Sequence, residues 1–257
     1  LADGNLDLEN RASTSGNDPS GNPVSDLSDD PNDPVDGDGD RGDTSDDDGD
    51  PDDPTSLIIP AMAVEKTAVG IPTTASSGTP GNLDVTYHLV IRNTGNDDLT
   101  NLSLIEDIAS QFGGAFVRIV GTPAIVNSTA TDDPEISVDF NGETDPEIFD
   151  NAGGNTNRLR AREAVTVEMV VETNPSSPTA IFVNGLLANS AVGSSNAVDT
   201  GRLLFDTSDD TDEGTNSDPN GDGSPDDPTL VALTLELSGT VYVDTNGNGV
   251  QDPGEVG

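Results

Sequence analysis

The chain has 257 residues, 49 acidic and 9 basic, one histidine and no cysteine, for a formal charge of −40. That balance excludes nucleic acid and an anionic membrane surface as default partners, since both are held through Lys and Arg, and the missing thiols exclude disulfides, zinc ribbons and thiol catalysis. No apolar run is long enough for a membrane-spanning helix and nothing at Leu1 resembles a signal peptide, so the chain reads as a mature piece or a segment of something longer.

In chain order the acids mark out three regions. Residues 1–56 hold 18 acids and 2 bases, residues 57–205 hold 18 and 7, and residues 206–257 hold 13 and none. The flanks are rich in Asp, Gly, Pro, Ser and Asn and should stay unfolded unless something neutralises them. Within the first flank, residues 1–25 read as the last strand of a preceding repeat. Leu6 and Leu8 share one face there, which suits a donor strand. Residues 26–56 follow as an acidic linker.

The middle region alternates as strands do. Leu83 to Arg92, Leu99 to Ile105, Ala115 to Val120, Glu135 to Phe140 and Glu163 to Glu172 have period 2, and Ser56 to Val69 and Ala180 to Val192 read as longer, broken strands. Turn signals separate them at Asn93-Thr94-Gly95-Asn96, Phe112-Gly113-Gly114, Asn141-Gly142 and Asn174-Pro175. No helical period is sustained. Residues 57–205 are therefore expected to form one all-β domain, a β-sandwich, with a core of Val, Ile, Leu and Ala. Residues 206–229 form a second acidic linker, and residues 230–257 open another module.

The flanks resemble each other. Val24 to Asp30 matches Leu204 to Asp210, Pro51 to Thr55 matches Pro225 to Thr229, and Leu8 to Ala12 matches Leu187 to Ala191. The period, about 174–180 residues, is one domain plus one acidic segment.

The acidic segments carry ligand spacing for a hard cation. In Asp244 to Glu255, oxygens fall at positions 1, 3, 5, 9 and 12 with Gly249 at the sharp turn, which is EF-hand-type spacing. Asp244, Asn246, Asn248, Val250, Asp252 and Glu255 are the candidate ligands. Asp218, Asn220, Asp222 and Asp226 repeat the first part of the pattern, and Asp206 and Asp210 precede it. In the first linker Asp36, Asp38, Asp40 and Asp43 form one run, and Asp46, Asp48, Asp50 and Asp52 a second. Two carboxylates ~5 Å apart repel by roughly 3 kcal/mol at an effective dielectric of ~20, so such loops need a cation to be compact. All-oxygen ligands without His or Cys favour Ca2+.

Gly239 to Glu255 resembles the opening of the B-type repeat of serine-aspartate repeat surface proteins. The middle region resembles the immunoglobulin-like repeats of unknown function in large bacterial surface proteins, on Val64-Glu65-Lys66-Thr67, Val85-Thr86-Tyr87, Asn93-Thr94-Gly95-Asn96, Leu99-Thr100-Asn101, Glu106-Asp107 and Asn189-Ser190-Ala191. The linkers resemble thrombospondin type-3 calcium repeats. These resemblances imply an extracellular or cell-surface, calcium-stiffened stalk, adhesin or appendage without catalytic activity. The stretch Asp132 to Arg162 departs from the pattern as an insertion suited to an edge or assembly surface.

Lys66 is the only lysine. It lies on the first strand, with Asn189 on the last and Asp107 or Glu106 after an inner strand. In surface sandwiches a Lys and an Asn beside a buried acid can join in an isopeptide bond; Lys66, Asp107 and Asn189 are the residues assigned to it, against a reading of an exposed lysine and a turn asparagine. Arg41-Gly42-Asp43 reads as part of a calcium loop, His88 as structural, and no hydrolase, P-loop or dinucleotide motif appears.

The sequence thus points to an immunoglobulin-like β-sandwich flanked by acidic calcium-binding linkers. The expected role is a structural subunit of a bacterial extracellular filament, with other copies of itself as partners through strand or linker docking. The alternative is a monomeric adhesin stalk presenting a separate domain to a host or surface ligand.

Overall fold

A computed structural model describes residues 8–10, 12–27, 55–152, 157–210 and 227–233, with single positions at 243, 245, 248, 249 and 253. In chain order the strands are β1 (Leu8–Asn10), β2 (Ser13–Asn17), β3 (Pro23–Leu27), β4 (Thr55–Leu57), β5 (Met62–Ala68), β6 (Thr73–Thr74), β7 (Leu83–Asn93) and β8 (Leu99–Ile105). After the short helix α1 (Ile108–Phe112) come β9 (Phe116–Ile119), β10 (Ala124–Ser128), β11 (Ala164–Thr173), β12 (Leu187–Asn189), β13 (Val192–Ala197), β14 (Leu203–Thr207), β15 (Asp209–Asp210) and β16 (Thr229–Val231). The described chain is β almost throughout, as its alternation predicts.

The larger sheet runs β10-β11-β7-β5-β15, with β6 on β7 and β9 on β11; a second sheet runs β14-β13-β8. The long central pair β7 and β11 is antiparallel from Leu83↔Thr173 to Arg92↔Ala164. Alternate side chains on each face inward, Val85, Tyr87, Leu89 and Ile91 from β7 and Val165, Val167, Met169 and Val171 from β11. They share one buried cluster with Leu99, Leu102 and Leu104 of β8. In β8 the inward positions change parity after Leu99, where Asn101 takes a left-handed φ of 52° and the pairing to β13 shifts register.

Several expected elements take other forms. The broken strand over 56–69 is two strands, β4 and β5, and that over 180–192 resolves into isolated bridges followed by β12. Residues 135–140 are not a strand; Ile136 bridges Phe149, and the segment that follows lies along β8 through Ile148 N to Leu104 O at 2.9 Å. The stretch 132–162 covers the edge of β8 and adds Phe140, Ile148, Phe149 and Leu159 to the core. Nor does the domain stop at residue 205. Thr229 and Val231 of β16 are buried, and Val231 belongs to the core cluster. β15 and β16, which come before and after the second acidic run in the chain, thus both belong to the domain.

The sequence repeat has a structural counterpart. In β1 and β4, Leu8, Glu9 and Asn10 pair with Leu57, Ser56 and Thr55. In β12 and β16, Leu187, Ala188 and Asn189 pair with Val231, Leu230 and Thr229. The hairpin β2–β3 pairs Ser13↔Leu27 through Asn17↔Pro23, as β13–β14 pairs Val192↔Thr207 through Asn196↔Leu203. Strands β1 to β4 thus reproduce the closing elements β12, β13, β14 and β16, and Asn10 stands at the register position of Asn189.

Candidate functional site

The first strand of the domain, β5, turns Val64 and Lys66 inward, and both are fully buried. A lysine at a strand's core face must keep its charge partnered or lose it. The Lys66 ammonium meets the carboxylate Oε2 of Glu106, itself fully buried, just beyond the end of β8. The ammonium also lies over the ring of Tyr87, 4.8 Å from its centroid.

The third member is Asn189, the last residue of β12, also fully buried. Its amide lies beside the Glu106 carboxyl and counts among the groups that hold that acid's pKa down. Neither amide atom, however, makes a well-aligned hydrogen bond, and Glu106 Oε1 also has no aligned partner. A buried polar group left in this state costs about 1–3 kcal/mol. Most buried amides in folded proteins are satisfied, so Asn189 calls for a reason beyond packing.

Backbone contacts hold the three together. Thr229 pairs with Asn189 and donates its hydroxyl to the Lys66 carbonyl at 2.9 Å. Glu106 N donates to Pro146 O at 2.8 Å. On α1, Gln111 donates from Nε2 to the carbonyls of Asp107 at 3.1 Å and Ser190 at 2.9 Å, while its Oε1 accepts from Ser190 N at 2.7 Å. One side chain thus ties the residue after Glu106 to the residue after Asn189.

Burial lowers the Lys66 pKa and raises that of Glu106, each opposed by the attraction of the other. Both directions favour moving the proton from ammonium to carboxylate, leaving a neutral amine and a neutral acid.

The acid is Glu106. Asp107, the residue assigned from sequence, instead caps α1, its Oδ1 accepting from Ser110 N at 3.1 Å. Gln111 was missed as a site residue, since nothing in a five-residue helix marks it. Glu106 was legible: it shares parity with the inward Leu102 and Leu104, and Asp107 does not.

The candidate calcium ligands fall mostly elsewhere. Asp36, Asp38, Asp40, Asp43, Asp46, Asp48, Asp50, Asp52, Asp218, Asn220, Asp222, Asp226, Asp244, Asn246, Val250, Asp252 and Glu255 lie outside the described residues. Asp206 sits on β14 and its Oδ2 accepts from Val64 N at 2.6 Å. The backbone of Asp210 bridges Lys66 in the parallel pairing of β15 with β5. Gly249 has φ 76°, the left-handed backbone a sharp turn needs. Among the described residues, no group of three or more His, Cys, Asp or Glu is placed to hold a metal, and no helix is long and apolar enough to cross a membrane. His88 faces outward, its Nε2 3.1 Å from Glu168 Oε2.

No family model and no curated protein matches the chain. Two solved structures of a GH20 exo β-N-acetylglucosaminidase from Vibrio harveyi, one bound to N-acetylglucosamine and one an inactive D437A mutant, align with 58% of this chain and 18% of theirs. At 16% identity and a TM-score of 0.29, that likeness carries no argument about this protein.

Proposed function

We propose that this chain is part of a tandem-repeat structural protein of the bacterial exterior, a calcium-stabilised filament or surface appendage built from immunoglobulin-like β-sandwich units. The observation that supports this best is the repeated closing unit. The pairing of β1 with β4, and the β2–β3 hairpin, recur register for register in β12, β16 and β13–β14. Closing elements that occur twice, one domain length apart, are the mark of units strung in series. Such arrays work by spacing and holding rather than by turnover.

The acidic runs have a specific place in this reading. Residues 28–54 lie between β3 and β4, and residues 211–226 between β15 and β16. Each run is bounded on both sides by strands of one closing unit. Bound Ca2+ would therefore cancel the charge of a run within its own unit, instead of setting an angle between units. The Asp and Asn spacing within the runs supports calcium over a softer metal. Partners in this reading are further copies of the unit, docking by strands or loops.

Electron microscopy of the purified chain in calcium and after chelation tests the proposal. Ordered fibres that disperse on chelation support the filament, and isolated rods support a stalk. Compact single particles that neither take up calcium nor change on its removal would refute both.

A further inference from the structure

We infer that Lys66 and Asn189 join in an intramolecular isopeptide bond, from Nζ to Cγ, in a reaction promoted by Glu106. The inference goes beyond the proposed function. It concerns the interior of one domain and stands whether or not the chain assembles.

The geometry separates this reading from a plain buried ion pair. An ion pair accounts for Lys66 and Glu106 but not for Asn189, whose amide is sealed in the same pocket without an aligned hydrogen bond on either atom. Tyr87 walls one side of the lysine nitrogen. Thr229 holds the backbone of residue 66 to the partner strand of residue 189. Gln111 locks the loop after Glu106 to the loop after Asn189. Nucleophile, acid and acceptor are thus immobilised together in a dry site, where proximity and exclusion of water favour an uncatalysed-in-water amide exchange.

The step balances without any further reagent. Proton transfer within the pair yields the Lys66 amine and the Glu106 acid. The Nζ lone pair attacks Asn189 Cγ while the Glu106 O–H protonates Oδ1. The carboxylate so formed takes a proton from Nζ and passes it to Nδ2, the Cγ–Nδ2 bond breaks, and ammonia leaves. The carbonyl re-forms as its proton returns to Glu106. One amide replaces another, one ammonia is released, and Glu106 ends as the neutral acid that began the attack, holding the proton first taken from Lys66. Tension entering through β5 would then cross from residue 66 to residue 189, leaving residues 67–188 outside the path of force.

Intact mass of the denatured full chain, followed by peptide mapping, tests the inference. The expected result is a loss of about 17 Da, the mass of ammonia, together with a branched peptide joining the segments around Lys66 and Asn189. Glu106→Gln and Asn189→Ala should each restore the mass their sequences require. Should either variant fail to fold, the wild-type map still decides. A wild-type chain at its sequence mass, with the two peptides recovered separately, overturns the inference. So does an ammonia loss that maps elsewhere or survives Asn189→Ala.

Discussion

Thr229 gives its hydroxyl hydrogen to the carbonyl of Lys66 over 2.9 Å, and both residues are fully buried. The strand that follows the second acidic run thereby closes on the strand that opens the domain. Replacing Thr229 by Val keeps the branched shape and removes the donor. We expect a loss of about 1 kcal/mol in urea unfolding, and slower coupling of residues 66 and 189 as the two backbones loosen.

The buried pair makes a sharper prediction. Lys66→Met leaves Glu106 without its partner, and breaking a buried pair costs about 3–5 kcal/mol. Adding Glu106→Gln removes the orphaned acid, so the double variant should be the more stable of the two. Equal or lower stability of the double variant in denaturant titration would contradict the assigned pairing.

Acid sensitivity should be set in part at Glu172, which is 1% exposed. Its carboxylate accepts from Asn82 Nδ2 at 2.8 Å, Ser77 Oγ at 2.7 Å and Arg118 Nε at 2.8 Å. These bonds, that from Asn82 foremost, hold its pKa below the usual 4.5. A depressed folded pKa contributes stability that is present above about pH 4.5 and is lost as pH falls through the folded value. Thermal melts of Glu172→Gln should therefore be less stable than wild type near neutrality and converge with it in acid.

The turn Asn93-Thr94-Gly95-Asn96 fastens the connection between β4 and β5. Asn96 Oδ1 accepts from Ile59 N at 2.6 Å, and Asn96 Nδ2 donates to Leu57 O at 2.9 Å. A Cβ on Gly95 would meet Ile59 O at 2.2 Å and Ala61 N at 2.6 Å. Both are backbone atoms and cannot swing aside, so Gly95→Ala should cost about 1–3 kcal/mol. Proteolysis near residues 57–61 should rise with it.

Much of this architecture was legible from alternation alone. Leu83 to Arg92 and Glu163 to Glu172 fall within one residue of β7 and β11, because long half-buried strands impose period 2 on every side chain. Elements held by distant partners were not legible. β16 is three residues whose only claim to strand structure is pairing with β12, some forty residues earlier, and its burial moved the domain boundary past the acidic run. α1 is too short to show a helical period. At the site, Lys66 stood out as the lone lysine and Asn189 by its place on the last strand. Glu106 rather than Asp107 follows from strand parity counted from Leu102 and Leu104, after the break at Asn101.

A domain clamped between residues 66 and 189 is a mechanical unit, and extension of single molecules under force reads out that clamp. If Lys66 and Asn189 are joined, unfolding releases only chain outside that loop. Its contour length falls short of the full domain by about 120 residues, roughly 400 Å, and Glu106→Gln regains that length. Release of the full length by the wild-type domain would contradict the clamp.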